Sequence, residues 1–198
     1  IMLTPKWTAQ AQFTGYYVAD KLGFYKEEGI DVCVQHPAIS ESSFSFMEKG
    51  RAPVVIMNLS YAFMERLAGA RVVNVMQTSQ ENSLMLISHS PLKGEESLRN
   101  QKIAVWNHLS QKLLDRLAEH YALKQVEWIR FNSGVNVFLS GAADPCLVGS
   151  YNEYLQLSEY GMNVDSIYSI RLADYGYNLP EDGLYVTEEF YNQYPEVV

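Results

Sequence analysis

The chain has 198 residues, of which 47% are hydrophobic, enough to bury one large core or two smaller ones. Its 15 basic and 23 acidic residues give a formal charge of −8, which disfavours nucleic acid or an anionic membrane as a partner, since neither would be attracted. Cys33 and Cys146 lie far apart with no Cys-x-x-Cys spacing, and the four histidines follow no ligand spacing, so neither a zinc site nor a redox pair is expected. Cys33 stands in an apolar strand run and is expected to be a buried thiol.

Ile1 to Leu3 reads as the end of a buried strand, Phe13 to Leu22 as a helix closed by Gly23, and Ile30 to Val34 as the next strand. Strand runs at Val54–Met57, Val72–Met76 and Leu84–Ser88 then alternate with a helix from Tyr61 to Leu67 stopped by Gly69. Ser90-Pro91-Leu92-Lys93-Gly94 is turn chemistry and is the expected first crossing between lobes. Beyond it come a strand at Lys102–Trp106 and a helix with apolar positions Leu109, Leu113, Leu114, Leu117 and Tyr121. A strand at Val126–Phe131, a short helix at Val135–Leu139, a strand at Cys146–Val148 and a helix at Asn152–Tyr160 ended by Gly161 complete this stretch. A recrossing is expected near Tyr168–Ala173, before Glu188–Tyr194 packs back on the first lobe. The alternation predicts an α/β fold with largely parallel strands, with one lobe from 1–88 plus 172–198 and the other from 92–168. No internal repeat, low-complexity tract or charge block is present, and no apolar run approaches the length of a membrane span.

In an open α/β sheet, ligands sit beyond the carboxyl ends of the strands. The segment from Trp7 to Val32 places aromatic and amide groups in such a gap. There Trp7, Gln10, Gln12, Phe13, Gly15-Tyr16-Tyr17-Val18-Ala19, Gly23-Phe24-Tyr25 and Glu28-Gly29-Ile30-Asp31-Val32 resemble the opening of NMT1/THI5-like substrate-binding proteins. The likeness continues at Gly149-Ser-Tyr-Asn-Glu-Tyr154 and Asp174-Tyr-Gly-Tyr-Asn-Leu-Pro-Glu-Asp-Gly-Leu184. It implies a type II periplasmic-binding-protein fold, two α/β lobes closing on a ligand in the cleft between them. The lineage includes carriers of thiamine pyrimidine precursors, sulfonate binders and sensor modules of hybrid signalling proteins. The implied partners are a small-molecule ligand and either an ABC-transporter permease or fused signalling domains. The implied location is periplasmic or otherwise extracytoplasmic, and no cofactor is implied. The chain begins at Ile1 without an initiator Met and reads as an excised or processed segment, with room for a leader or anchor upstream and for further chain after Val198.

An aminopyrimidine needs an apolar clamp for its ring and polar groups for its donor and acceptor edge, because a buried polar edge left unpaired costs about 1–3 kcal/mol. Trp7, Phe13, Tyr16, Trp106 and Tyr175 are the available clamps, with Tyr151 beside them. Gln10, Gln12, Asn58 and Asn152 offer amides, Ser60 a hydroxyl, and Asp174 a carboxylate. Glu153, which follows an apolar strand, is the expected carboxylate for the ligand's amino group; the alternative is that it serves its own helix N-terminus. Ser60 reads first as an N-cap, which beside the cleft can also be a contact, Asp182 can be read as a turn residue, and Tyr17, Phe24 and Tyr25 read as core.

An enzyme is not expected. Fungal members of the family make the pyrimidine, consuming a lysine-held pyridoxal phosphate and a histidine with the help of a cysteine-rich motif, and no such cluster exists here. His36 has no supporting pattern as a donor histidine, and no phosphate-binding glycine loop or Gly-x-Ser-x-Gly elbow is present. The competing binding reading is a sulfonate- or nitrate-like anion. It would need a cation or a helix N-terminus near the strand ends; Lys6 and Arg171 are the nearest cations, and helix N-termini alone could also hold an anion.

Overall fold

The computed structural model describes residues 1–38, 40–92, 98, 101–106, 115, 118–119 and 126–198. The expected helix through Leu109, Leu113, Leu114, Leu117 and Tyr121 lies outside them, as do Lys93 and Gly94. The chain divides into two compact units, Ile1–Asn82 with Asn178–Val198, and Ser83–Tyr177.

The first unit is built on strands β1 (Met2–Thr4), β2 (Cys33–Val34), β3 (Val54–Asn58), β4 (Val72–Gln77) and β10 (Asp182–Thr187), in the order β2-β1-β3-β10-β4. β1 is parallel to β2 and to β3, whereas β10 runs antiparallel to both β3 and β4. The carboxyl ends of β1, β3 and β4 therefore share one edge of the sheet with the beginning of β10. The run Val54-Val-Ile-Met57 is apolar without a break because both faces of β3 are covered: Val55 and Met57 enter one core cluster, Val54 and Ile56 the other.

Helix α1 (Thr14–Leu22) follows a 3-10 turn at Ala11–Phe13 and ends at Gly23, whose φ of 81° is left-handed. That conformation is the usual C-terminal stop and favours a residue without Cβ. Helices α2 (Phe24–Glu27), α3 (Ser43–Glu48) and α4 (Leu59–Leu67) complete this part, and Glu188–Gln193 packs as a last helix against β10 and β4. Three local expectations are corrected. Cys33 is exposed because its two-residue strand lies at the sheet edge, where Val32 and Val34 turn inward instead. Phe24 is also exposed, while Tyr17 does pack on the core. Asn58, not Ser60, is the N-cap of α4, and Ser60 is an exposed residue of its first turn.

The second unit holds β5 (Leu84–Ser88), β6 (Lys102–Trp106), β7 (Glu127–Phe131), β8 (Cys146–Gly149) and β9 (Tyr168–Arg171), in the order β7-β6-β8-β5-β9. β6 is parallel to β7 and β8, and β5 is antiparallel to both β8 and β9. Alternate residues again feed two clusters, Met85, Ile87, Ala104, Cys146 and Val148 in one, and Leu86, Ile103, Val105 and Leu147 in the other. Leu84–Ser88 and Tyr168–Arg171 thus pair with each other here, and the chain changes unit at 82/83 and 177/178, a few residues from the expected crossings at Ser90–Gly94 and near Tyr168–Ala173. Ser90 and Pro91 follow β5 and so lie past the first change of unit.

Candidate functional site

In the first unit, Lys6 lies just past β1, Asn58 is the last residue of β3, and Asp182 opens β10 directly opposite Asn58 in register. Gln77 ends β4 and Thr78 follows it. The Lys6 ammonium donates to Asn58 Oδ1 at 2.7 Å and stands 2.5 Å from Asp182 Oδ1, with only 18% and 12% of the two charged side chains exposed. Asp182 is held from behind. Its carbonyl accepts from Thr78 N at 2.9 Å, Ser79 N at 3.0 Å, Gln77 Nε2 at 2.9 Å and Thr78 Oγ1 at 2.7 Å. Gly183 allows this approach, since a Cβ there would stand 2.7 Å from Gln77 Oε1.

Tyr16 on α1 belongs to the same neighbourhood. Burial pushes its phenol up to about 12, the nearby Thr78 hydroxyl opposes the shift and the Asp182 charge adds to it. The Tyr16 hydroxyl nevertheless makes no well-formed hydrogen bond, and both Nε2 and Oε1 of Gln12 are buried without a partner. A buried donor and acceptor left unpaired on one amide is costly, so Gln12 is the polar group of this unit most in need of a ligand.

Trp7 is half-buried against the β1–β3 core, and its carbonyl accepts from His36 Nδ1 at 2.5 Å. Since a carbonyl cannot donate, His36 carries its proton on Nδ1, and Nε2 accepts from the Tyr17 hydroxyl at 2.6 Å when the ring is neutral. His36 is therefore a strut between α1 and the Trp7 loop, a role that its flanking residues gave no sign of. Gln10 is half-buried, and its carbonyl accepts from Phe13 N at 3.1 Å. Phe13 is corrected: it is fully buried among Leu3, Val54, Ile56 and Val186, and its ring is core, not a clamp.

In the second unit, Gly149 ends β8 and leads through Ser150, Tyr151 and Asn152 into the Glu153–Glu159 helix. Glu153 is 6% exposed, and its Oε2 accepts from Gly149 N at 3.1 Å. One carboxylate oxygen is thus committed to the turn between strand and helix. Gly149 makes room for it, because a Cβ there would stand 3.2 Å from Glu153 Oε2 and 3.6 Å from the Tyr151 ring. Asn152 is the N-cap but makes no capping bond, and its Oδ1 accepts from Gln156 Nε2 at 3.0 Å. Trp106 is corrected to a core residue, 8% exposed, with its ring tilted 6.3 Å from Phe131. Asp174 is exposed on the 3-10 turn Leu172–Tyr175, and the Tyr175 side chain lies outside the described residues. Both follow β9 and belong to this unit. Burial pushes the Cys146 thiol up to about 12, with Glu153 and Asp144 adding to the shift, so it is not a nucleophile at neutral pH.

The residues brought together at one sheet edge are therefore Lys6, Asn58, Thr78 and Asp182, with Tyr16 beside them. The Lys6–Asp182 pair and Thr78 were missed from the sequence. No group of three metal-ligating side chains occurs among the described residues. Nor is any helix among them long and apolar enough to cross a membrane.

The family model for NMT1/THI5-like proteins matches residues 10–198. The chain belongs to the NMT1/THI5-like family. Among curated relatives of this NMT1/THI5-like chain, the riboflavin-binding protein RibY of Chloroflexus aurantiacus is 27% identical over all of the chain and 58% of its own length. The 4-amino-5-hydroxymethyl-2-methylpyrimidine phosphate synthase THI13 of Saccharomyces cerevisiae is 19% identical over 78% of the chain and 47% of its own length. The chain thus spans about half the length of these curated relatives. In fold it is similar to a protein of Bordetella bronchiseptica RB50, with a TM-score of 0.70 at 20% identity, covering 99% of the chain and 66% of the other. The periplasmic aliphatic sulphonate binding protein SsuA of Escherichia coli is similar with a TM-score of 0.68 at 14% identity, covering 97% of the chain and 62% of the other. These likenesses establish the two-lobed periplasmic-binding-protein fold.

Proposed function

We propose that this NMT1/THI5-like chain binds, without transforming, a small flat nitrogen heterocycle at the strand ends of its first unit, with the Gln12 amide meeting the ring edge. The observation that carries the reading is the amide itself, whose donor and acceptor are both buried and unpaired. A primary amide matches a ring edge that carries an acceptor beside a donor. An aminopyrimidine has such an edge, and it is the ligand class proposed first. The names of the relatives support the same chemistry, because the fungal synthases concern a 4-aminopyrimidine and riboflavin carries a pyrimidine-type ring with adjacent N–H and C=O groups. Riboflavin is kept as the second reading on the 27% identity with RibY. An anionic ligand is disfavoured in this unit because Lys6 is already paired with Asp182. Binding in place of catalysis, an extracytoplasmic location, and delivery to an ABC-transporter permease or to a fused signalling domain belong to the same proposal, supported by the fold likeness to SsuA.

Isothermal titration of the chain with 4-amino-5-hydroxymethyl-2-methylpyrimidine, riboflavin and taurine tests this. Heat is expected with a heterocycle and none with taurine, and Gln12→Ala is expected to weaken the heterocycle by about 1–3 kcal/mol while the fold, followed by circular dichroism, persists. Binding of taurine alone, or a Gln12→Ala variant as tight as wild type, would overturn it.

A further inference from the structure

Basic residues are unevenly placed in the first unit. Arg66 and Arg71 pair with Glu188 at 3.2 and 3.4 Å, just beyond the end of β10 and so at the edge where β4 begins. Lys49 and Arg51 stand 3.8 and 3.4 Å from Glu41, ahead of β3. Lys21 and Lys26 lie on α1 and α2, the connection that returns the chain from the end of β1 to the start of the parallel strand β2. Lys6 alone, among the described residues of this unit, is a lysine or arginine at the carboxyl ends of β1, β3 and β4.

We propose that Asp182 is a built-in counter-anion that sets the charge class of the ligand: it occupies the Lys6 ammonium where a sulfonate, carboxylate or phosphate oxygen would otherwise bind. The inference rests on the reading that the strand ends of this unit hold the ligand, and it names the residue that decides between neutral and anionic cargo there. Three observations carry it. The pair is largely buried, at 18% and 12% side-chain exposure, so its two charges are weakly screened by solvent. Its geometry is set by the sheet, since Asp182 faces Asn58 in register and both receive the same ammonium. Asp182 is also fixed from the other side by the four donations to its carbonyl, so the backbone that carries the carboxylate is held by the β10–β4 junction independently of Lys6.

Taking away one partner of a buried ion pair leaves the other charge uncompensated, and an uncompensated ammonium binds whatever small anion fits. The Tyr16 hydroxyl, buried and without a well-formed hydrogen bond near Thr78 and Asp182, would be a second donor to such an anion. Asp182→Asn keeps the side-chain shape, removes the charge and replaces one acceptor oxygen with an amide NH2, and Asp182→Ser removes the charge without that amide.

The test measures methanesulfonate binding by isothermal titration and by thermal shift, at constant ionic strength, for wild type, Asp182→Asn, Asp182→Ser, Lys6→Met and the double variant Asp182→Asn with Lys6→Met. Asp182→Asn and Asp182→Ser are expected to bind methanesulfonate at least about tenfold more tightly than wild type, and the double variant to lose that gain. Either single Asp182 variant, shown to be folded by circular dichroism yet indifferent to methanesulfonate, overturns the proposal. Wild-type binding of methanesulfonate that disappears in Lys6→Met overturns it too. The heterocycle reading fails by a different result, the absence of heat when wild type meets either heterocycle, and a gain of anion binding in Asp182→Asn would stand regardless.

Discussion

Gln12 and Phe13 are neighbours in sequence and opposites in environment: the ring fills the core of the first unit, while the amide beside it is buried with nothing to bond. The sequence made both of them candidates, and only packing separates them. Large aromatic groups gain most from full burial, which is why Phe13 and Trp106 became core residues whereas Trp7, on a loop, is only half-covered. The Lys6–Asp182 pair was not legible, because nothing local in Pro5-Lys6-Trp7 or Glu181-Asp182-Gly183 signals a partner at the other end of the chain. Tyr16 carries a measurable consequence. Its phenol ionises near 10 in the unfolded chain and about 12 in the fold, so above pH 10 the unfolded state releases the proton first and stability falls as pH rises toward 12. Cys146, raised from 9 to about 12, adds to the same alkaline loss from pH 9 upward. Thermal melts from pH 8 to 11 are expected to show a steep decline, shallower in Tyr16→Phe. An identical slope in that variant would mean that the phenol is not held protonated by the fold.

Among the elements, the strands inside each sheet were the easiest to read, because cover on both faces demands an unbroken apolar run, as in Val54–Met57 and Cys146–Val148. Helix ends were nearly as clear, Gly23 and Gly161 both being left-handed stops. The strand β10 was not anticipated, since Pro180-Glu-Asp-Gly183 reads as turn chemistry and Asp182 as a turn former. In the structure Asp182 begins a central strand, secured by the cluster of donors from the end of β4. Gly183 is the tight point of that junction, with Gln77 Oε1, Asn74 Nδ2 and a Tyr185 ring carbon all within 3 Å of where a Cβ would be. Asn74 donates to both Gln77 Oε1, at 2.8 Å, and the Tyr185 hydroxyl, at 3.0 Å, so these groups cannot give way independently. Gly183→Ala is expected to destabilise the protein by about 1–3 kcal/mol, the usual cost of overpacking, measured by urea denaturation. A variant as stable as wild type would show the junction to be loose.

At the scale of the whole molecule, the two units repeat one strand plan that no internal sequence repeat announced. In each sheet the fourth strand is the antiparallel one, β10 in the first and β5 in the second, and each is the first strand after the chain has changed unit. The expected crossings, at the turn Ser90–Gly94 and near Tyr168–Ala173, fall after β5 and around β9 respectively. The second unit contains all five of its strands in one continuous segment, so a fragment of residues 83–177 is expected to melt cooperatively by circular dichroism. A fragment of residues 1–82 lacks β10, leaving β3 and β4 without the strand that joins them, and is expected to stay largely unfolded until a peptide of residues 178–198 is added. Cooperative melting of 1–82 alone would refute that dependence. The insertion of β10 also imposes an order on synthesis. During translation the ribosome releases β3 and β4 long before the strand that separates them, so the flanks of that gap remain open edges until β10 emerges. Asp182, the first residue of that strand, arrives only with it, and until then Lys6 lacks this carboxylate. The charge of the site is completed only when β10 takes its place between β3 and β4.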